Sequence, residues 1–218
     1  MAQYGILGSD AIVASTGQTF SPASSSATMK NRIINGGMVF NQRGTSYTSS
    51  GYSLDRWYLV ILGSATITQS ASAPAGFTNS YLWTTNSAST PSNSAYYNGF
   101  GQMIEGYNVA DFGFGTVNAQ SVTFSFWVKR GSMTDMSYRV YNATGSADII
   151  TVTSYYASTN SSTWSKITVT FTTPSGCISA RVYMLSDVSS SQTSGNNVYL
   201  WGAQTELGSV ASNYTPTT

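Results

Sequence analysis

Apolar and polar residues alternate along most of this chain with the two-residue period of a β-strand. In SVTFSFWV, Val122, Phe124, Phe126 and Val128 fall on one face and Ser121, Thr123 and Ser125 on the other. In WSKITVTFTT, Ile167, Val169 and Phe171 alternate with Lys166, Thr168, Thr170 and Thr172. CISARVYML sets Ile178, Ala180, Val182 and Met184 against Ser179, Arg181 and Tyr183. Strands with one face for a core and one for a surface are those of antiparallel sheets. The same reading predicts strands over 56–62, 64–70, 79–84, 95–105, 137–142, 147–156 and 197–204. Turn formers punctuate them, as in Ser72-Ala73-Pro74-Ala75-Gly76, Asn142-Ala143-Thr144-Gly145 and Pro174-Ser175-Gly176. No window of helical length carries a 3.6-residue period. An all-β chain of this kind is expected to fold as a two-sheet antiparallel sandwich.

The packed body is expected to begin at NRIINGGMVFNQRGT (residues 31–45). Ile33 to Phe40 reads as the first body strand, interrupted at Gly36-Gly37 by a bulge or a close backbone approach. Residues 1–30 are poor in large apolar side chains and read as an extended N-terminal arm, with 31–218 forming the sandwich domain. Ordering such an arm costs roughly 1–2 kcal/mol per residue. It therefore needs compensating contacts, from a neighbouring subunit or from its own sandwich.

Composition narrows the function. Hydrophobic residues make up 41% and aromatic residues 13%, enough for a core, but charged residues are only 8%, against about 25% in ordinary domains. With a net charge of +1, the chain lacks the basic footprint of a nucleic-acid binder. Cys177 is the single cysteine, so no internal disulfide forms. No apolar run reaches membrane-span length, so no membrane insertion is expected. The opening MAQYGILGSDAIVAS has neither the basic start nor the continuous apolar stretch of a signal peptide.

Without histidine, neither Ser-His-Asp nor Cys-His catalysis is possible, and a lone cysteine cannot build a thiolate metal site. The best carboxylate pair for glycoside hydrolysis is Glu105 with Asp111, in IEGYNVADFGFGT. The glycines and Asn108 around them also suit a turn. The chain is expected not to be an enzyme, to hold no metal and to need no cofactor.

Three separated motifs, INGGMVFNQRGTS with SLDRWYLV, QMIEGYNVADFGFGTVNAQSVTFSFWVKRG, and VYLWGAQTELGSVASNYTP, run in order over about residues 31–216. The set resembles a family of bacteriophage virion and tail-fibre proteins, with Ile34, Asn35, Gly36, Gln42, Arg43, Gly44, Asp55, Arg56 and Trp57 carrying the first match. The resemblance implies a jelly roll similar to carbohydrate-binding modules, located at the virion surface. It implies a structural building block, a capsid decoration or short fibre, usually a homotrimer, joined to other virion proteins through residues 1–30. The alternative it carries is a receptor-binding module for a host glycan. Relatives that bind sugars hold a structural calcium with an acid after the first Asn-Gly and another in the last strand. This chain has Gly37 at the first place and no acid within Val198–Gln204.

Two residue sets follow. Arg43, Asp55, Arg56 and Trp57 are expected to form a structural pin, with Asp55 accepting two hydrogen bonds from Arg43 across the first hairpin and Trp57 in the core. Trp83, Tyr96, Tyr97 and Asn98, with Tyr81, Asn79 and Asn86 nearby, are the candidate sugar-binding set. Aromatics among Asn and Ser serve equally in a core or a subunit interface.

Overall fold

The computed structural model describes residues 30–61, 64–87, 98–187 and 192–217, the side chains of 98, 186 and 187 excepted, and the backbone of three short strands before them. Those three, β1 (Ile6–Leu7), β2 (Ala11–Val13) and β3 (Thr19–Phe20), form a small antiparallel sheet within a unit spanning Met1–Lys30. The N-terminal segment thus carries strand structure of its own. Its short apolar groups, Ile6-Leu7 and Ala11-Ile12-Val13, are separated by residues suited to turns.

The second unit, Asn31–Thr218, is a sandwich of two six-stranded antiparallel sheets. Its strands are β4 (Ser46–Tyr47), β5 (Gly51–Tyr52), β6 (Tyr58–Val60), β7 (Ala65–Ser70), β8 (Ser80–Thr85), β9 (Asn98–Ile104), β10 (Val122–Lys129), β11 (Ser137–Asn142), β12 (Ala147–Ser154), β13 (Ser165–Phe171), β14 (Ala180–Asp187) and β15 (Asn197–Leu207). One sheet runs β13-β10-β15-β8-β7-β4 and the other β12-β11-β14-β9-β6-β5. The alternation sorts the faces. Val122, Phe124, Phe126 and Val128 of β10, Val182 and Met184 of β14, and Phe100 and Ile104 of β9 all enter the core. Trp57 stacks on Phe100 with centroids 4.5 Å apart, and Phe100 stacks on Tyr81. Each such side chain contributes roughly 1.5–3 kcal/mol by leaving water.

Two expectations change, at Ile33–Phe40 and at Ile178. Ile33–Phe40 is a turn, not a strand. Asn35 and Met38 have φ of 56° and 58°, left-handed backbone that breaks extended pairing. The segment lies beside β15, where Arg32 N–H donates to the Thr205 carbonyl and Ala203 N–H to that of Gly36. Side-chain amides satisfy much of the remaining backbone. Gln102 both donates to and accepts from the Ile34 peptide group at 2.8 Å, and Asn35 does the same with Phe40. Gly36 is the close approach foreseen, since a Cβ there would sit 2.1 Å from the Ala203 carbonyl oxygen. Ile178 is 63% exposed, because β14 starts only at Ala180 and the Ile178 N–H bonds Thr144 Oγ1 instead. The Ser/Tyr/Gly connection after Gly44 supplies two short edge strands, β4 and β5, one for each sheet.

Candidate binding face

The core-facing residues of β9, β11 and β14 leave Gly101 and Met103, Arg139 and Tyr141, and Arg181 and Tyr183 on the outer face of the second sheet. Strand register aligns them in rows. Arg139 lies opposite Tyr183, Tyr183 opposite Gly101, Gly101 opposite Tyr58, and Tyr58 opposite Tyr52. A parallel row runs Tyr141, Arg181, Met103. Gly101 makes room for the Tyr183 ring to lie across the sheet; a Cβ at 101 would come within 2.6 Å of it.

Tyr52, Arg56, Tyr58, Met103, Glu105 and Arg181 enclose a cleft of about 300 Å³ on this face. Tyr52 and Tyr58 meet edge to face at 5.3 Å, and Tyr52 is 58% exposed. Arg181 donates to the Tyr183 hydroxyl at 3.0 Å and lies 5.7 Å from the Tyr58 ring centroid. Arg56 Nη2 donates to Glu105 Oε1 at 2.9 Å across the cleft wall. Exposed aromatic rings beside fixed charged donors and acceptors are the chemistry of a polar small-molecule site.

The sequence-predicted sets fare differently. Trp83 is buried in the core at 1% exposure, with Tyr81 beside it, because both occupy the inward positions of β8; Trp83 therefore offers no ligand platform. Tyr96 and Tyr97 lie outside the described residues. Asn98 opens β9 opposite Asp187, and its side chain is outside the description. Asn79 bonds its neighbour Thr78, and Asn86 bonds Thr66.

Of the pin, Trp57 is core, and its indole N–H donates to the Asn35 carbonyl at 3.1 Å. Arg43 and Asp55 approach only to 3.9 Å, with Arg43 57% exposed. The expected two-hydrogen-bond clamp is absent, since Arg43 lies over the Tyr52 ring and stays in water. Arg56 turns away to Glu105. Glu105 and Asp111 do not make a catalytic pair: the first pairs with Arg56 and the second with Arg32. Glu105 precedes and Asp111 lies within the expected turn, here a 3-10 segment over Gly106–Phe112 capped by left-handed Gly113.

Arg56 and Glu105 are singled out in sequence for other roles, whereas Tyr52, Tyr58, Met103 and Arg181 are not, though they leave a signal. The outward positions of SARVYML carry Arg and Tyr where other strands carry Ser and Thr, and NGFGQMI leaves glycines facing out.

No family model and no curated protein matches the chain. Solved structures do. A candidate sugar-binding protein from Bacteroides thetaiotaomicron superposes with a TM-score of 0.52 at 14% identity, covering 82% of this chain and 100% of that one. The enzymatically active domain of tailspike protein 4 of bacteriophage CBA120 gives 0.50 at 15% identity, covering 81% of this chain but only 21% of that one. The CBM22-1 xylan-binding domain of Paenibacillus barcinonensis Xyn10C gives 0.46 at 16% identity, covering 76% and 94%. At such identities the likeness is one of fold.

Proposed function

We propose that this chain is a saccharide-binding module displayed on a phage particle, holding a surface glycan on the outer face of its second sheet without cleaving it. The observation that carries this reading is the cleft between Tyr52 and Tyr58, walled by Arg56, Glu105 and Arg181. Ring faces meet the C–H faces of a sugar, while guanidinium and carboxylate groups meet its hydroxyls. A fold shared with a candidate sugar-binding protein across that protein's whole length supports it, as do the three virion-like motifs. Binding without turnover fits Glu105, Asp111 and Asp148, each held by an arginine.

The test is a glycan array followed by calorimetry on the hits. Wild-type protein is expected to bind at least one saccharide, and Tyr58→Ala to lose about tenfold or more in affinity with its melting transition nearly unchanged. An array with no hit, or a Tyr58→Ala variant that binds as wild type does, overturns the reading.

A second reading has its own support in the separate unit at Met1–Lys30 and in the same motifs: a decoration or short fibre, trimeric, attached through residues 1–30. Truncation before Asn31 is expected to leave a folded sandwich that no longer joins the particle. Normal incorporation of the truncated chain rules that attachment out.

A further inference from the structure

The geometry points to an anionic sugar, one carrying a carboxylate, as the residue that occupies the cleft, with Arg181 as its anchor. This deepens the saccharide-binding reading and rests on it. Among the described residues, Arg32, Arg43, Arg56 and Arg139 each have a carboxylate in ion-pair range. Arg181, which lines the cleft, has none; its partners are the Tyr183 hydroxyl and the rings of Tyr58 and Tyr183. The single acid of the cleft wall, Glu105, is engaged by Arg56. Two arginines against one glutamate leave the cleft with one uncompensated positive charge. In a chain with only 9 basic residues among 218, that charge stands out.

Arg181 is also held in place. One Nη1 hydrogen bond goes to Tyr183, and Tyr183 is itself confined by the glycine surface of β9, at 9% exposure. A guanidinium whose remaining N–H groups face a cleft is matched to a carboxylate, which it can bind through two parallel hydrogen bonds. Holding it beforehand reduces the ordering cost of binding. The cleft, at about 300 Å³, is at the small end for ligand sites, the scale of one sugar ring. Tyr58 and Tyr52 then supply the stacking surface, and Glu105 accepts from ring hydroxyls.

The experiment presents the full chain with paired oligosaccharides: uronic-acid and sialic-acid glycans as free acids, and the same glycans as methyl esters. Esterification keeps the shape and removes the charge. At least one free acid is expected to bind about tenfold or more tightly than its ester, with the difference shrinking at high salt. Arg181→Gln is expected to abolish that preference, bringing the free acid and its ester to the same affinity. Arg181→Lys keeps the charge without the fork and is expected to restore only part of it. Esters or neutral sugars binding as well as the acids, or an Arg181→Gln variant that keeps the preference, overturns the anionic assignment and leaves saccharide binding standing. No binding by any member overturns both.

Discussion

The two sheets turn very different outer faces away from a shared core. On the first, the chain covers itself. Trp201 lies on the opposite side of β15 from Val198 and Leu200 and is roofed by Phe77 at 4.1 Å and Tyr214 at 4.7 Å. Further along, Glu206 accepts from the Ser212 N–H, the Ser212 hydroxyl and the Gln204 amide, fastening the C-terminal segment down. Asn31 joins that segment to β15, donating to the carbonyls of Ala203 and Thr215 and accepting from the Thr205 N–H. On the second sheet, Tyr52, Tyr58, Arg56 and Arg181 border a cleft, and the polar groups there bond to one another through side chains alone. A face whose backbone and side chains interlock serves stability. A face whose rings and charges are held beforehand, with space between them, serves a partner.

The largest effect that separates the faces comes from matched aromatic truncations. Trp201→Ala removes a side chain that is 2% exposed and leaves a cavity under Phe77 and Tyr214. The expected cost is about 3–5 kcal/mol, a fall in Tm of roughly 10 °C for a domain of this size. Tyr58→Ala on the other sheet is expected to cost less than about 1.5 kcal/mol, as for a partly exposed position. Equal losses in thermal denaturation would erase the distinction between a covering face and a binding face.

Glu206→Ala is the next step down. It leaves the Ser212 N–H without its acceptor and takes one acceptor from the Gln204 amide. For a part-buried donor the expected cost is toward the lower end of about 1–3 kcal/mol, with hydrogen exchange rising at 208–217 before it rises in β10. Uniform exchange across the sandwich would show that the C-terminal segment is not a separately releasable cover.

A pH titration probes the same cover. Burial pushes the Tyr214 hydroxyl up to about 12, against a weaker opposing hydrogen bond at the Gly37 backbone. The folded pKa thus lies above the unfolded value of about 10. The stability Tyr214 lends is intact below about pH 10 and is lost as pH rises toward about 12. Tyr81 and Tyr155, pushed well up by burial, act in the same direction. Urea midpoints measured from about pH 8 to pH 11.5 are expected to fall only at the alkaline end, and less steeply in Tyr214→Phe. A variant as alkali-sensitive as wild type would place the effect on the other groups that burial pushes up, Tyr81, Tyr155, Tyr47 and Cys177.

How far these faces were legible in sequence depends on what local pattern records. Alternation located β10, β13 and the start and end of β11 because half-buried strands write a period of two directly into side-chain type. It failed at Ile33–Phe40, where apolar residues fill a turn whose peptide groups are satisfied by Gln102, Gln69 and Asn35 from distant or local side chains. No local pattern encodes such partners. It also misjudged Trp83. An aromatic among Asn and Ser looks the same on either side of a strand until the register assigns its face, and β8 turns Trp83 inward. The cleft was hidden for a related reason. Arg181 is far in sequence from the Tyr52–Tyr58 hairpin pair and becomes its neighbour only through the order β14-β9-β6-β5.

The smallest expected effect concerns Arg43 and Asp55, which the sequence presents as a pin and the structure as a loose pair. Their closest approach is 3.9 Å, with Arg43 57% and Asp55 24% exposed. Water screens such a pair, and holding two side chains together costs rotamer entropy. Exposed pairs couple by about 0.2–1 kcal/mol, and the distance here favours the lower end. A double-mutant cycle with Arg43→Ala and Asp55→Ala is therefore expected to be additive within about 0.5 kcal/mol. Trp57→Ala, by contrast, removes a core ring stacked on Phe100 and belongs with the 3–5 kcal/mol losses of buried aromatics, at about that size. The motif that joins these residues thus holds the fold through its tryptophan and the amide bonds of Asn35. A coupling above about 1.5 kcal/mol in the cycle would require Arg43 to close onto Asp55 in solution and would return the pair to the first hairpin as its fastening.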